Sequence, residues 1–593
     1  MAKQPVRIAN FSGYYGDRYT AIDEAMTGDP IDVLMGDFLA EVTLASLSTR
    51  YKEDTTRGYV EYFLEQIKPH LSAIAERGIK VVTNAGGFNP AAMAVVLREL
   101  VAQSGADLKV AHVEGDNVFE QLGDLQKDGN LLQNLDTGEP LSSWGYEPIA
   151  ANAYLGGWGI AAALEAGADI VVCGRVTDAS LTLGPAAWWH GWARDDWNAL
   201  AHAVTAGHII ECGSHAVGGN FSGFADVPNM LVPGFPIAEV AADGSTVITK
   251  HSGDGGAVTV DTVTAQILYE IQGPRYLNPD VTLHIESIQL EQIGPDRVLV
   301  SGVVGSPPPP TTKVATFAPI GYQVMETAYV TAPDVEKKVD LLRSQVGRNM
   351  TVGVDDYVVT PLGTAAADPQ SQWDATVPVR FMATARDRQT LKEFNLAGRL
   401  NSLYLSSIPG YYRDGAASRA AEPQPRIEYW PALLDMALIN HRAVLWDGTA
   451  LDIAPPDETE LSTQPEHDEP RPESYRAADL RTVELGALAY ARSGDKGGNS
   501  NVGIWVRDKA AYSWLRQALT TDEFYMLVPE AKDIDIVRHE FPNLGAVHFL
   551  LKGLLGTGGS SNLRVDQIGK AVGEYIRAKH VQVPRQLLGA ADS

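Results

Sequence analysis

The chain has 593 residues, of which 45% are hydrophobic and 20% are charged, and its formal net charge at pH 7 is -27. This length suggests several domains, and the excess of acidic groups argues against binding to nucleic acid or to an anionic membrane surface. The two cysteines are too few for a four-cysteine iron–sulfur or zinc site, and no apolar signal core or membrane span is evident, so we expect a cytoplasmic protein.

The first 180 residues repeat a short β-branched run, a glycine-containing or acidic turn, and an amphipathic helix. The five runs lie at 6–11, 31–35, 79–82, 108–113 and 168–173. The repeat predicts an α/β fold with a mostly parallel, doubly wound sheet, whose ligands bind beyond the carboxyl ends of the strands. Neither G-x-G-x-x-G nor G-x-x-x-x-G-K-[ST] occurs, which argues against nicotinamide cofactors and ATP.

Residues 79–95 join a predicted buried strand to a helix through a glycine turn. Gly86 and Gly87 form the turn, Asn89 is placed to cap the helix, and Pro90 takes its first position. Such a junction directs backbone NH groups and the helix dipole beyond the strand, where they suit a phosphate, a carboxylate or an oxyanion. The same pattern also serves as a plain connection in α/β proteins.

The remaining chain divides by composition. We predict an N-terminal portion at 1–234, a second α/β portion at 235–453, an acidic proline-rich linker at 454–479, and a small α+β domain at 480–593. Within the second portion, strands are predicted at 314–331 and 352–360, and helices at 260–272, 332–346 and 387–396. Four tryptophans at 188, 189, 192 and 197 predict a packed helix face or a contact between subunits of a homo-oligomer.

Five motifs taken together resemble one family. They are TNAGGFNP, VEGDNV, CGRVTDASLTLGPA, HSGDGG and ARSGDKGGNSNVGI, and they are similar to motifs of the acyclic terpene utilisation (AtuA-like) proteins over nearly the whole chain. The resemblance implies that the last domain is ferredoxin-like in topology, with no iron–sulfur cluster. It also implies breakdown of acyclic terpenoids or methyl-branched acids through CoA thioesters, with a CoA thioester as possible substrate and no tightly bound cofactor.

Two carboxylates end the fourth predicted strand. Glu114 and Asp116 are two residues apart, which puts both side chains on one side of an extended backbone. Two close carboxylates raise one pKa, as a base that removes the α-proton of a thioester requires. The alternative is that Asp116 caps the next helix and Glu114 is solvated.

Arg175 and Asp178 follow the fifth predicted strand. A guanidinium directly after a buried strand needs a carboxylate or phosphate partner, and that partner is either a ligand or Asp178 itself. Asp178 is a candidate catalytic residue, with a helix N-cap as the alternative role.

The glycine-rich runs at 211–224 and 251–256 contain further candidates. His215 is a candidate catalytic residue, either alone or with Cys212 as nucleophile. Metal binding by His251, Asp254 and Glu114 is conceivable, but no established metal-ligand spacing supports it. Ligand-binding positions are predicted at Gly86, Gly87, Asn89, Arg175, Gly219, Asn220, Asp254, Ser493, Asp495 and Lys496.

The last three positions form a predicted anion seat in the turn RSGDKGGNSN, suited to the phosphates of CoA and reached from a flexibly linked domain. The alternative is a charged turn in which Lys496 pairs with Asp495. The hypothesis for the whole protein is a lyase or hydratase-type enzyme that acts on a small-molecule acyl-CoA by proton abstraction. Two alternatives are a non-catalytic assembly or regulatory partner of a carboxylase or dehydrogenase complex, and a metal-dependent hydrolase.

Overall fold

The computed structural model describes residues 3–348, 353–414, 421–470 and 479–588. Residue 352 of the predicted strand 352–360 and residues 471–478 of the predicted linker lie outside the described residues. Among the helices of the described residues, none has the length and apolar character needed to cross a bilayer.

The N-terminal portion alternates strands and helices. Its strands are β1 (Val6–Ser12), β2 (Val33–Gly36), β3 (Lys80–Thr83), β4 (Val110–Glu114), β5 (Ala150–Ala153) and β6 (Ile170–Cys173). Its helices are α1 (Ala21–Thr27), α2 (Glu41–Glu53), α3 (Glu61–Ile67), α4 (Leu71–Arg77), α5 (Pro90–Ser104), α6 (Leu122–Lys127), α7 (Trp158–Glu165), α8 (Ser180–His190) and α9 (Trp197–Ile210). All five predicted strands are present, and β5 is an additional one.

The second portion is richer in strands. They are β7 (Pro236–Val240), β8 (Thr246–Lys250), β9 (Arg275–Leu277), β10 (Thr282–His284), β11 (Gln289–Gly294), β12 (Arg297–Ser301), β13 (Val304–Ser306), β14 (Thr311–Thr331), β15 (Asp356–Pro361), β16 (Thr376–Ala385), β17 (Tyr411–Tyr412), β18 (Gln424–Asp435), β19 (Arg442–Val444) and β20 (Ala450–Asp452). The helices are α10 (Val260–Ile267), α11 (Val335–Val346), α12 (Arg388–Phe394) and α13 (Leu396–Asn401).

The C-terminal domain follows. Its strands are β21 (Leu480–Glu484), β22 (Tyr490–Lys496), β23 (Asn499–Trp505), β24 (Ile536–Phe541), β25 (Ala546–Leu551) and β26 (His580–Pro584), and its helices are α14 (Lys509–Ala518), α15 (Thr521–Leu527) and α16 (Val572–Arg577). A short 3-10 turn at Leu485–Ala487 separates β21 from the start of β22.

The largest sheet has a parallel centre and antiparallel flanks. Its order is β11-β12-β8-β7-β1-β2-β3-β6-β4-β19-β20. Strands β1, β2, β3, β6 and β4 pair in parallel, whereas β7 and β19 join the centre antiparallel. Alternate residues of the central strands belong to different hydrophobic clusters: Val33 and Met35 to one, Leu34 to the other. Both faces of the sheet are therefore buried.

A second sheet is built around β14, which is 21 residues long. This strand pairs with β16, β17, β18 and, near its start, with β5 of the N-terminal portion. The backbone register shifts between Pro319 and Gly321, where the strand bends. Because β5 pairs with β14, this second sheet, like the largest one, contains strands of both the first and the second portion.

The C-terminal domain has an antiparallel four-stranded sheet in the order β22-β23-β25-β24. It is bonded to the rest of the chain on several sides: Asn501 Nδ2 donates to the carbonyl of Leu268 at 2.7 Å, and Ser222 Oγ donates to the carbonyl of Ala491 at 2.8 Å. Trp505 is buried in the main hydrophobic cluster. These contacts pack the C-terminal domain against the rest of the chain. The sequence predicted a flexibly linked domain, and the described contacts show a docked one.

The described part of the predicted linker, residues 454–470, crosses the surface as a strap. Gln464 donates to and accepts from the backbone of Arg275, both at 2.8 Å. The NH of Glu460 donates to the carbonyl of Pro308 at 2.8 Å, and the carboxylate of Glu469 accepts from the NH of Thr521 at 3.2 Å. The strap therefore connects the second portion to the N-terminus of α15.

Candidate functional site

Three neighbouring parallel strands end in polar residues that contact one another. Asp37 follows β2, Asn84 follows β3, and Arg175 lies two residues after β6. Asn84 Nδ2 donates to Asp37 Oδ1 at 2.6 Å, and Arg175 Nη1 donates to the carbonyl of Leu39 at 2.8 Å. The strand ends thus converge, as parallel pairing requires.

Arg175 is only 3% exposed, so its charge needs compensation. Its Nη1 donates to Asp178 Oδ1 at 2.8 Å, and its guanidinium lies 4.0 Å from the centre of the Tyr154 ring. Its Nε has no hydrogen-bond partner within the described residues. Asp178 is therefore at least one partner of the Arg175 guanidinium, as one of the two sequence alternatives predicted.

A second ion pair lies beside the first, between α2 and β14. Glu41 Oε1 accepts from the Tyr154 hydroxyl at 3.2 Å and lies 3.4 Å from Lys313 Nζ. Burial alone would raise the pKa of Glu41, but Lys313 and then Arg175 lower that pKa to about 2. Glu41 is therefore an ionised carboxylate between two cations.

At the end of α9, Glu211 and His208 form a buried pair. Glu211 Oε1 lies 3.1 Å from His208 Nδ1, and His208 Nε2 lies 3.3 Å from the carbonyl of Ile267. A carbonyl can only accept, so Nε2 carries the hydrogen and Nδ1 of the neutral ring must accept from Glu211. Burial raises the pKa of Glu211 well above its usual range, and burial lowers the pKa of His208 to about 4. Both shifts favour the neutral forms of the two side chains, with a proton on Glu211.

The hairpin between β22 and β23 brings Asp495 and Lys496 of the C-terminal domain close to Glu41 and Glu211. Burial, followed by the charges of Glu270 and Glu41, raises the pKa of Asp495 to about 8. The charge of Lys496 acts on Glu41, Glu211 and Asp495. We name the assembled set the charge cluster, consisting of Asp37, Glu41, Arg175, Asp178, His208, Glu211, Glu270, Lys313, Asp495 and Lys496.

Comparison with protein families matches the chain in two segments. The model described as "Acyclic terpene utilisation family protein AtuA" matches residues 6–445, and the model described as "AtuA ferredoxin-like domain" matches residues 483–582. The chain belongs to the AtuA family. Comparisons with curated proteins and with solved structures gave no match.

In this AtuA-family chain, both matched segments contribute to the charge cluster. The longer segment supplies most of its members, and the ferredoxin-like domain supplies Asp495 and Lys496. Four sequence-predicted residues therefore meet here: Arg175, Asp178, Asp495 and Lys496. Sequence reasoning missed Asp37, Glu41, His208, Glu211, Glu270 and Lys313, although Asp37 stands directly after a predicted strand and Glu211 at the start of a glycine-rich run.

The carboxylates of Glu114 and Asp116 have separate partners. Glu114 accepts from Arg442 Nη2 at 2.5 Å at the edge where β4 meets β19. Asp116 is 3% exposed, and its Oδ2 accepts from Asn152 Nδ2 and from the NH of Arg175, both at 2.8 Å. Burial raises the pKa of Asp116 to about 6. Asp116 thus supports the backbone under Arg175, away from the partner of Glu114, and the catalytic role of the two carboxylates stays a prediction.

The turn at Gly86, Gly87 and Asn89 forms as predicted, and two of its backbone NH groups donate to carbonyl groups of the protein. Asn89 caps α5, since its side chain accepts from the NH of Ala92 at 3.2 Å. The NH of Gly87 donates to Asn84 at 3.0 Å, and the NH of Phe88 donates to Gly58 at 2.8 Å. The amides of Gly87 and Phe88 are therefore occupied in this conformation, and ligand binding at this turn stays a prediction.

His215 lies at the contact with the C-terminal domain. Its Nε2 is 2.7 Å from Asn220 Nδ2, its Nδ1 is 3.2 Å from Gln266 Oε1, and Arg492 Nη2 lies 3.1 Å from the ring. Burial and the charge of Arg492 lower the pKa of His215 well below its usual range. The carbonyl of Asn220 accepts from Arg492 Nη1 at 3.2 Å, whereas the NH of Gly219 donates to the carbonyl of Ser214 at 2.8 Å. Burial raises the pKa of the Cys212 thiol well above its usual range, which disfavours the thiolate.

The remaining predicted positions lie away from the charge cluster. Ser493 Oγ donates to the carbonyl of Lys570 at 3.1 Å and accepts from the NH of Gly573 at 2.9 Å, so it fixes β22 against α16. Asp254 lies beside His251, in the loop after β8. Across the described residues, no group of three or more His, Cys, Asp or Glu side chains is placed to hold a metal ion.

The tryptophan-rich segment packs inward. Trp189 Nε1 donates to the carbonyl of Gln4 at 3.0 Å, and Trp192 Nε1 donates to the carbonyl of Ala242 at 2.9 Å. All four tryptophans are partly buried against the main hydrophobic cluster. The tryptophans therefore pack within this chain, and a contact with another subunit stays a prediction.

A cleft of about 350 Å³ lies elsewhere, between α7 and the start of the strap. Its lining includes Trp158, Arg194 and Asp280. Arg194 Nη1 already donates to the carbonyl of Ala454 at 2.7 Å, and its guanidinium lies 5.1 Å from the Trp158 ring. The charge cluster, with its convergence of titratable groups, is the better candidate for chemistry.

Proposed function

We propose that this AtuA-family protein is an acid–base enzyme of acyclic terpenoid catabolism, acting on the CoA thioester of a branched acyl chain in a lyase or hydratase-type reaction. The observation that carries the proposal is the buried Glu211, whose pKa burial raises well above its usual range, in one cluster with the Arg175–Asp178 ion pair. Groups in one site whose environments push them into opposite protonation states can act as acid and base. Family membership supplies the metabolic context.

In the proposed reaction, Asp178 removes a proton next to the thioester carbonyl. The electron pair of the broken C–H bond moves to the thioester oxygen and gives an enolate. In a hydratase-type step, the enolate expels the β-hydroxyl group, which leaves as water with the proton of Glu211. In a lyase step, a carboxylate instead takes the β-hydroxyl proton, the Cα–Cβ bond breaks to release a carbonyl fragment, and the electron pair of that bond forms the enolate of the shortened thioester. Both routes need a carboxyl group that gains or gives a proton near neutral pH.

The test is turnover of a panel of branched 3-hydroxyacyl and enoyl CoA thioesters by the purified full-length protein. We expect at least one thioester to be converted. Glu211→Gln keeps the shape of the side chain but removes its acidic proton, so kcat should fall by about 100-fold or more.

Glu114→Gln is the matched control, because Glu114 is also a strand-end carboxylate but lies outside the charge cluster. It should retain wild-type kcat. Loss of turnover in Glu114→Gln with retention in Glu211→Gln would contradict this assignment, and absence of turnover on every thioester would refute the reaction class.

A further inference from the structure

Lys496 differs from the other cations of the charge cluster. Arg175 lies 2.8 Å from Asp178, and Lys313 lies 3.4 Å from Glu41. Within the described residues, Lys496 Nζ has no hydrogen bond and no carboxylate oxygen within 4.0 Å. Its charge nevertheless acts on Glu41, Glu211, His208 and Asp495. The ammonium group therefore stands among these groups without being bonded to any of them.

The hairpin that carries Lys496 is held on both sides. On the strand before it, Ser493 is bonded to the carbonyl of Lys570 and to the NH of Gly573. On the strand after it, Asn499 Nδ2 donates to Asp136 Oδ1 at 2.9 Å, and the NH of Gly498 donates to Asp136 Oδ2 at 3.3 Å. Gly497 has a φ of +63°, a conformation that favours glycine and shapes the tight turn. The position of Lys496 is thus set by the fold and needs no ion pair.

Lys496 is half-buried, so a ligand or solvent takes the place of an ion pair at its ammonium group. Carboxylates at longer range cannot donate or accept a direct hydrogen bond with it, so its three N–H donors remain available. In an acid–base site of this kind, the group that needs such a donor is the oxygen on which negative charge develops.

We infer that Lys496 is a catalytic residue that contacts the developing anionic oxygen of the substrate, so that the ferredoxin-like domain forms part of the active site. The inference rests on the proposed function. Both proposed routes pass through a thioester enolate, in which the electron pair from the broken C–H or C–C bond resides on the thioester oxygen. Lys496 donates a hydrogen bond to that oxygen.

The first test is kinetic and uses the full chain. Lys496→Ala should lower kcat by about 100-fold, as loss of one oxyanion donor does, with a smaller change in KM. Added ethylammonium should restore part of that activity in a concentration-dependent way, because it supplies the missing donor. Lys570→Ala is the matched control: Lys570 is in the same domain, 5.4 Å from the Tyr269 ring, and outside the charge cluster. It should keep wild-type activity and show no response to ethylammonium.

The second test measures binding and does not depend on turnover. S-carboxymethyl-CoA carries a carboxylate where the enolate oxygen would lie, whereas S-ethyl-CoA is its neutral counterpart. The wild-type protein and Lys570→Ala should bind the carboxymethyl compound at least tenfold more tightly than the ethyl compound. Lys496→Met should lose this preference, and Lys496→Arg should retain most of it. Circular dichroism of each variant checks that the fold is kept.

The outcomes separate the two proposals. Normal turnover by Lys496→Ala, or an unchanged tenfold preference in Lys496→Met, would overturn the role of Lys496 and leave the proposed function standing. A wild-type protein that converts no thioester would refute the proposed function, and the binding preference would then decide the role of Lys496 by itself.

Discussion

Replacing Asp116 by asparagine removes a charge that the fold buries beneath Arg175. Both donors to this carboxylate, Asn152 Nδ2 and the NH of Arg175, converge on one oxygen, Oδ2. An asparagine whose carbonyl oxygen takes that place keeps both hydrogen bonds. The substitution therefore isolates the cost of the charge from the cost of the contacts.

The magnitude follows from the pKa of Asp116, which burial raises from 3.8 to about 6. Because the folded-state pKa is the higher one, ionisation destabilises the fold, and the penalty grows as pH rises through the folded-state pKa. A shift of about 2 units corresponds to roughly 3 kcal/mol once both states are ionised, and to about 1.6 kcal/mol at pH 5. Between pH 5 and pH 8, the wild-type protein should therefore lose about 1.4 kcal/mol of unfolding free energy relative to Asp116→Asn.

The assay is urea unfolding of both proteins at pH 5, 6.5 and 8, followed by tryptophan fluorescence. Asp107→Asn is the control, since Asp107 is exposed in the loop before β4, and its difference from wild type should not vary with pH. The burial argument would be refuted if the difference in unfolding free energy between Asp116→Asn and wild type did not change between pH 5 and pH 8, or changed in the opposite direction. Loss of turnover in a stably folded Asp116→Asn would instead support the catalytic role predicted from sequence.

Two further predictions concern packing and the strap. A methyl group on Gly174 would come within 2.5 Å of Asp116 Oδ1, so Gly174→Ala should destabilise the protein by about 1–3 kcal/mol in urea unfolding. Gly105→Ala has nothing within 4 Å and a φ of +73°, so it should cost only about 1 kcal/mol; equal effects would contradict the crowding argument. Gln464→Ala should speed amide hydrogen exchange across 459–470, measured by mass spectrometry, because both bonds to Arg275 are lost. Gln126→Ala, on the exposed face of α6, is its control, and unchanged protection in Gln464→Ala would argue that the strap is held elsewhere.

Local patterns were sufficient to predict many elements of this fold. The β-branched runs before each glycine or acidic turn identify β1, β2, β3, β4 and β6, because a fully buried strand must be apolar on both faces. The helix cap at Asn89 was also predictable, since its pattern depends only on neighbouring residues. Strand β5 was not, because its alanine-rich sequence has little β propensity and its pairing with β14 spans about 160 residues.

The site was predictable only where it follows a strand end. Arg175 and Asp178 come directly after β6, and parallel pairing alone places that end at the functional edge. Lys313 lies within β14 and Glu211 at the end of a helix, and nothing local distinguishes them from other charged residues. Asp116 also follows a strand end, and it accepts from the backbone NH of Arg175 in the loop after β6; its catalytic role stays a prediction.

The charge cluster draws on residues from Asp37 to Lys496, so its parts are separated by most of the chain. During synthesis, domains emerge and fold from the N-terminus. The parallel sheet can therefore form while Asp495 and Lys496 have not yet left the ribosome. A nascent or C-terminally truncated chain would carry the parallel sheet with an unfinished set of charges, so the charge cluster would be complete only when translation is nearly over.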